Sequence, residues 1–276
     1  GQDQTAYGDV SVRAVVEFNL FEDASGDGEI VSNKSADNVI RFNTMRNSKA
    51  GICLRGGCNA RVEGNYCYRT YGIRVFGGQQ TIVNNYLEEV DDGIRLDAGQ
   101  YRKGGFIDRD RSGSYEAASG VLIAHNTIIN PKGTGLILGA KRGTPHSGVV
   151  RRELPGDIQI VGNLLSGEDQ LVSVDPDCQD LDWRANIVWE PNVTTGLNRP
   201  GVTQVDPLLS KAGEGRFVPR LQSPVRDMVI RLPEVIVDFD GHARDIKADV
   251  GCDEMVAGRQ TRRPLEPADV GPEWMR

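Results

Sequence analysis

Apolar and polar residues alternate along this chain in short stretches, and each stretch runs into an asparagine. The series reads Val15-Val16-Glu17-Phe18-Asn19, Val39-Ile40-Arg41-Phe42-Asn43, Ala60-Arg61-Val62-Glu63-Gly64-Asn65 and Thr81-Ile82-Val83-Asn84-Asn85. It continues through Val121-Leu122-Ile123-Ala124-His125-Asn126, Ile158-Gln159-Ile160-Val161-Gly162-Asn163 and Asp182-Trp183-Arg184-Ala185-Asn186. Alternation over so few residues predicts half-buried strands. The asparagines are spaced 24, 22, 20, 41, 37 and 23 residues apart. Two gaps are nearly double, which fits an insertion or a missed copy. Seven to nine residues after most of these asparagines comes a second short strand, often opened by glycine: Gly51-Ile52-Cys53-Leu54-Arg55, Gly72-Ile73-Arg74-Val75, Gly93-Ile94-Arg95-Leu96, Gly135-Leu136-Ile137-Leu138 and Leu171-Val172-Ser173-Val174.

Strands this short cannot bury a face alone, so they must stack. A repeat of roughly 20 to 24 residues with two or three short strands predicts an all-β fold, a single-stranded parallel β-helix whose coils pair about 4.8 Å apart. Leucine-rich repeats share the length, but their fixed leucine pattern is missing. The recurring asparagine predicts an internal amide ladder from coil to coil. Its constant phase against the second strand is what a mere preference of asparagine for turns does not explain.

Alternation also assigns faces. With Ile52/Leu54, Ile73/Val75 and Ile94/Leu96 inward, Cys53/Arg55, Arg74/Phe76 and Arg95/Asp97 point outward on successive coils. This predicts a file of arginines on one flank of the solenoid. Residues 34–103 carry eleven basic and seven acidic side chains, a local +4 within a chain of formal charge −7. The overall acidity argues against nucleic acid as a partner, and no apolar run approaches the ~18 residues of a membrane span. Glycine, 33 of 276 residues, is abundant without a collagen period. The five cysteines, Cys53, Cys58, Cys67, Cys178 and Cys252, form no CxxC pair and have no histidine at metal-ligand spacing. Buried thiols are expected, with one disulfide among Cys53, Cys58 and Cys67 as the alternative.

The expected organisation is one solenoid: coils over residues 1–200 with the candidate active face at 27–97, terminal coils and a closing segment over 201–257, and a peripheral tail over 258–276. Asp238-Phe239-Asp240-Gly241 opens like a calcium loop, but the later acidic ligands are not at the required offsets, so a turn is expected there.

The densest chemistry is Asp27-Gly28-Glu29-Ile30-Val31-Ser32-Asn33-Lys34-Ser35. Two carboxylates two residues apart on a strand share a face, a geometry suited to a hard cation. Lys34 follows the strand, and Arg55 lies 21 residues further, about one coil along.

Here the chain resembles the calcium-dependent polysaccharide lyases related to chondroitinase B and to the β-helical alginate lyases. Val16-Glu17-Phe18-Asn19-Leu20-Phe21-Glu22, Gly28-Glu29-Ile30-Val31-Ser32-Asn33-Lys34-Ser35, Leu54-Arg55-Gly56, Val62-Glu63-Gly64-Asn65-Tyr66, Gly72-Ile73-Arg74-Val75 and Asn84-Asn85-Tyr86 carry the resemblance. It is continuous from about residue 12 to 100 and more diffuse to Val205-Asp206-Pro207-Leu208 and Asp249-Val250-Gly251.

The resemblance implies a right-handed β-helix and β-elimination at a uronic acid. By it, Asp27 and Glu29 hold Ca²⁺, Lys34 removes the C5 proton, and Arg55 assists departure of the O4 leaving group, with a water or tyrosine as an alternative proton source. Asn33, Arg74 and Arg95 bind substrate. The partner implied is an acidic polysaccharide, alginate or another uronan, and the location is secreted or periplasmic. Two departures stand out. Gly56 replaces the histidine that usually follows the arginine, and the family's asparagine ligand to calcium would fall upstream of Gly1, so the chain reads as the C-terminal portion of a longer β-helix whose first coils are a separate chain, a removed segment or truly absent. A non-catalytic β-helix that binds acidic polysaccharide without turnover is the alternative.

Overall fold

A computed structural model describes residues 10–102, 114–193, 198–212, 216–256 and 262–272. Among these residues, three parallel sheets of seven, eight and six strands run along the solenoid; the coils up to Val172–Val174 give one strand to each, and the last coils add strands to the first and second sheets only. The first sheet contains Val15–Glu17, Val39–Arg41, Arg61–Glu63, Thr81–Val83, Ser119–Ala124, Gly156–Val161 and Gln179–Arg184. The second begins at Leu20–Glu22 and Thr44–Arg46 and ends at Asn186–Trp189 and Val202–Thr203. The third, which carries the candidate site, stacks Glu29–Asn33, Gly51–Leu54, Ile73–Val75, Ile94–Asp97, Leu136–Ala140 and Val172–Val174.

The corner between the first and second sheets explains the asparagine repeat. The residue before each ladder asparagine turns the chain with a left-handed backbone: Phe18, Phe42, Gly64, Asn84, His125, Gly162 and Ala185 all have φ between 50° and 64°. The asparagine then supplies the hydrogen bonds that such a tight corner leaves unmade. Nδ2 of Asn19 donates to Oδ1 of Asn43, and the same bond repeats through Asn65, Asn85, Asn126, Asn163 and Asn186 at 2.9–3.0 Å. The amide ladder predicted from spacing is present rung by rung. Both long gaps are insertions. Thr81 pairs directly with Leu122, and Leu122 with Gln159, so no coil intervenes.

Inside, Ile52, Leu54, Ile73, Val75, Ile94 and Leu96 fill the core with Val62, Ile82, Leu87, Ile123 and Ile160, all essentially inaccessible. The closing segment folds back over the flank at the first and second sheets. Val225, Val229 and Val250 pack on Val83, Ala124, Val161 and Leu164, and Arg244 reaches Asn84 Oδ1 at 2.9 Å. Asp238–Gly241 is a turn, closed by Gly241 N–H to Asp238 O at 3.2 Å. In the tail, Arg262 lies 3.8 Å from the Phe42 ring centroid, and Leu265 N–H donates to Thr44 Oγ1. All five cysteines are free thiols, three of them buried.

Candidate active site

Outward positions of the third sheet form columns fixed by register. Ser32, Cys53, Arg74, Arg95, Ile137 and Ser173 align in one column. Asn33 aligns with Leu54, so the next step along both strands sets Lys34 beside Arg55. Asn33 O accepts from Arg55 N at 2.9 Å and from Gly56 N at 3.1 Å, which ties these two rungs together. Lys34 and Arg55 are therefore neighbours on adjacent coils, and Arg74 is the diagonal neighbour of Arg55.

Glu29 is the centre of charge. Its side chain is only 8% exposed, and Oε1 lies 2.6 Å from Arg74 Nη2 and 3.6 Å from Arg55 Nη1. Arg74 is anchored a second time, Nε donating to Cys53 Sγ at 3.2 Å. Burial works against the Arg74 charge, but the Cys53 and Glu29 contacts outweigh it and hold the guanidinium more firmly protonated than usual. Burial pushes the Cys53 thiol up to about 12, so it stays protonated and serves as a polar contact. Lys34 is half-buried, and no ion pair holds its ammonium among the described residues.

A wall that sequence reasoning did not identify rises beside this row. Phe76 and Tyr115 stack at 4.4 Å, Tyr115 lies 5.4 Å from the Arg55 guanidinium, and His146 packs on Tyr115 at 4.6 Å. Arg151 lies over the Tyr115 ring at 5.1 Å and pairs with Asp97 at 3.2 Å. Burial pushes the Tyr115 phenol up despite nearby Arg55 and Arg74, keeping it neutral. Tyr115, His146 and Arg151 all come from the two insertions. The near-doubled asparagine gaps were their only signal.

The insertions also correct the expected arginine file. Cys53, Phe76 and Asp97 do point away from the core, but each is at most 2% exposed because the inserted loops cover them. Arg95 is 8% exposed and is bound to Asp97 and, at 2.9 Å, to Asp92. These two carboxylates take Nε and Nη1 of Arg95. Asn33 is likewise committed: its Nδ2 donates to Ser35 O and Gly56 O, and its Oδ1 accepts from Asn38 at 2.6 Å.

The acidic pair departs from expectation too. Asp27 lies in an exposed bend before the strand, which begins at Glu29, and its Oδ1 accepts from Gly28 N at 2.7 Å. A register shift between Glu29 and Val31 further breaks the alternation. The two carboxylates therefore do not share a strand face. Calcium takes six to eight oxygens, and among the described residues no group of three acidic, histidine or cysteine side chains is placed to hold a metal. With Glu29 Oε1 already claimed by guanidinium groups, these residues do not fit a calcium cage by themselves.

The chain matches the chondroitinase B family over residues 4–229. It is similar to the solved structure of the PL6 family alginate lyase AlyGC, with 21% identity and a TM-score of 0.65, covering 95% of this chain and 34% of that one. It is also similar to the PL6 family polysaccharide lyase Pedsa3628 from Pseudopedobacter saltans, with 28% identity and a TM-score of 0.58 over 75% of this chain and 55% of that one. A third likeness is to alginate lyase AlyF-OU02 in complex with G6, at 19% identity and a TM-score of 0.61, over 80% of this chain and 50% of that one. The chain thus spans between about a third and about half of the length of these structures. No curated protein matches it.

Proposed function

From the premise that this chain belongs to the chondroitinase B family, we propose that it is a polysaccharide lyase that cleaves a uronic-acid-containing polymer, alginate before chondroitin or dermatan, by β-elimination. The observation that carries the reading is the row of Lys34 and Arg55 on adjacent coils, with Arg74 diagonal to Arg55. A uronate at this row meets the Lys34 amine and two guanidinium groups, with Glu29 the one carboxylate that pairs with both among the described residues. That balance favours an anionic sugar.

In the reaction, Lys34 Nζ, as the neutral amine, takes the C5 proton and becomes the ammonium, and the C5–H electron pair becomes the C4=C5 double bond. The C4–O4 bond breaks, and its electrons leave on O4, which is then protonated. Cations at the substrate carboxylate stabilise the charge that develops as C5 loses its proton. Arginine is a weak acid, so Arg55 acts chiefly by electrostatics at O4, with water or the neutral Tyr115 phenol as the proton source. The reading carries with it the expectation of a secreted or periplasmic enzyme, where such polymers or their fragments are met.

Incubation of the intact protein with polymannuronate, polyguluronate and glycosaminoglycan uronans, followed by ultraviolet absorbance of the unsaturated product, tests the reading. The expected result is product from at least one polymer and a loss on the order of 10²-fold or more in Lys34→Ala. Full activity in Lys34→Ala removes Lys34 from its role. Retained binding of uronan with no product assigns the chain to a carbohydrate-binding β-helix instead.

A further inference from the structure

We propose that Arg74 takes the place of a divalent cation in this chain, holding Glu29 on one edge of its guanidinium and the carboxylate of the reacting uronate on the other. The inference deepens the lyase reading and rests on it for the identity of the ligand.

Three observations converge. The first is the state of Glu29. A carboxylate only 8% exposed requires a cationic partner, and Arg74 provides it at 2.6 Å, with Arg55 3.6 Å from the same oxygen. A calcium ion coordinates oxygens at about 2.3–2.6 Å. Bound to Oε1, it would be crowded against two like charges. The second is the placement of Asp27, which lies exposed in a bend before the strand and does not share a strand face with Glu29.

The third observation concerns the donors Arg74 has left. A guanidinium offers five N–H donors in a planar fork. Arg74 spends its side edge on the protein, Nε to Cys53 Sγ and one Nη2 hydrogen to Glu29 Oε1. Its end edge, Nη1 with the second Nη2 hydrogen, meets no protein acceptor among the described residues, and the side chain is 27% exposed. Two anchors fix the plane, while Phe76 lies 5.7 Å from its centre. Such a group is preorganised for bidentate capture of a carboxylate. It lies about one coil across and two residues along from the Lys34–Arg55 row, within reach of a uronate whose C5 faces Lys34.

Isothermal titration of calcium into the intact wild-type protein is the first test. The expected result is no saturable binding, together with product formation that EGTA does not reduce. Arg74→Ala is expected to lose on the order of 10²-fold or more in kcat/KM, and Arg74→Lys, which restores charge without the fork, to regain only part of it. Circular dichroism checks that each variant is folded. Saturable calcium binding that Glu29→Gln abolishes overturns the proposal, as does activity that EGTA removes and calcium restores. In that last case the lyase reading stands while this one falls. If the wild type cleaves no uronan, the lyase reading fails by itself. The calcium titration, with the affinity of wild type and Arg74→Lys for a short oligouronate, then still decides whether Arg74 holds Glu29 and captures a carboxylate. Equal affinity in the two proteins counts against it.

Discussion

Arg74 and Arg95 share one column of the third sheet, one coil apart, yet their surroundings give them opposite tasks. Arg74 keeps the end edge of its guanidinium without a protein acceptor among the described residues, whereas Arg95 is held by Asp97 and Asp92. Removing one member of a buried ion pair strands the other, a loss of about 3–5 kcal/mol. Arg95→Ala leaves Asp97, 1% exposed, with Arg151 as its remaining cation. Chemical denaturation of Arg95→Ala is therefore expected to show a loss near the lower end of that range. An unchanged denaturation midpoint would mean that the Asp97 pair does not stabilise the fold. Sequence alternation could place both arginines outward, but it could not tell them apart. Their fates are set by the carboxylates that meet them, Glu29 at Arg74 and Asp92 with Asp97 at Arg95, and by Tyr115 and Arg151 of the insertions, which pack on Phe76 and Asp97 from outside the repeat.

Among elements, the asparagine corner was the most legible part of the chain. One residue with a left-handed backbone and one ladder amide recur from Asn19 to Asn186, and both constraints act within a few residues, so periodicity reveals them. The ladder's energetics depend on depth. Asn85 accepts from the amide and backbone N–H of Asn65, and its Nδ2 donates to Asn126, Val62 O and Val83 O. Asn85→Ala leaves several of these buried groups without a partner, at about 1–3 kcal/mol each, so a loss of at least about 3 kcal/mol is expected by urea denaturation. Asn19, at the exposed end, serves as the contrast. Asn19→Ala should change stability by less than about 1 kcal/mol. Equal losses at the two positions would show that the ladder is not cumulative. The strand bearing Glu29 was less legible. Asp27 falls in a bend before the strand starts, off the predicted face, and a one-residue register shift follows between Glu29 and Val31; no pattern of apolar residues records either.

At the scale of the molecule, the least legible feature was the return of the closing segment onto the solenoid. Arg244, 1% exposed, joins Glu254 at 3.1 Å and Asn84, 160 residues away, at 2.9 Å. Such long-range contacts leave no period in the sequence. The same segment makes stability depend on pH. Asp253 lies 3.4 Å from Arg216, which also holds the inaccessible Asp240 at 3.1 Å. Burial, reinforced by Asp240 and Asp238 and opposed by Arg216 and Arg244, raises Asp253 from 3.8 to about 6. A raised carboxyl binds its proton more tightly in the folded state than in the unfolded one. Its contribution to stability therefore falls as pH rises from about 4 to about 6, and it stays at the lower level above that window. Two pH units correspond to at most about 3 kcal/mol. Carboxylates held below their usual range, such as Asp37 through its hydrogen bonds to Ser11 and Asn59, act in the opposite sense, so the wild-type curve alone cannot isolate Asp253. The difference between wild type and Asp253→Asn can. In denaturation series across this window, wild type is expected to lose stability relative to Asp253→Asn as pH rises, and a constant difference would show that Asp253 ionises in the folded protein as it does in the open chain.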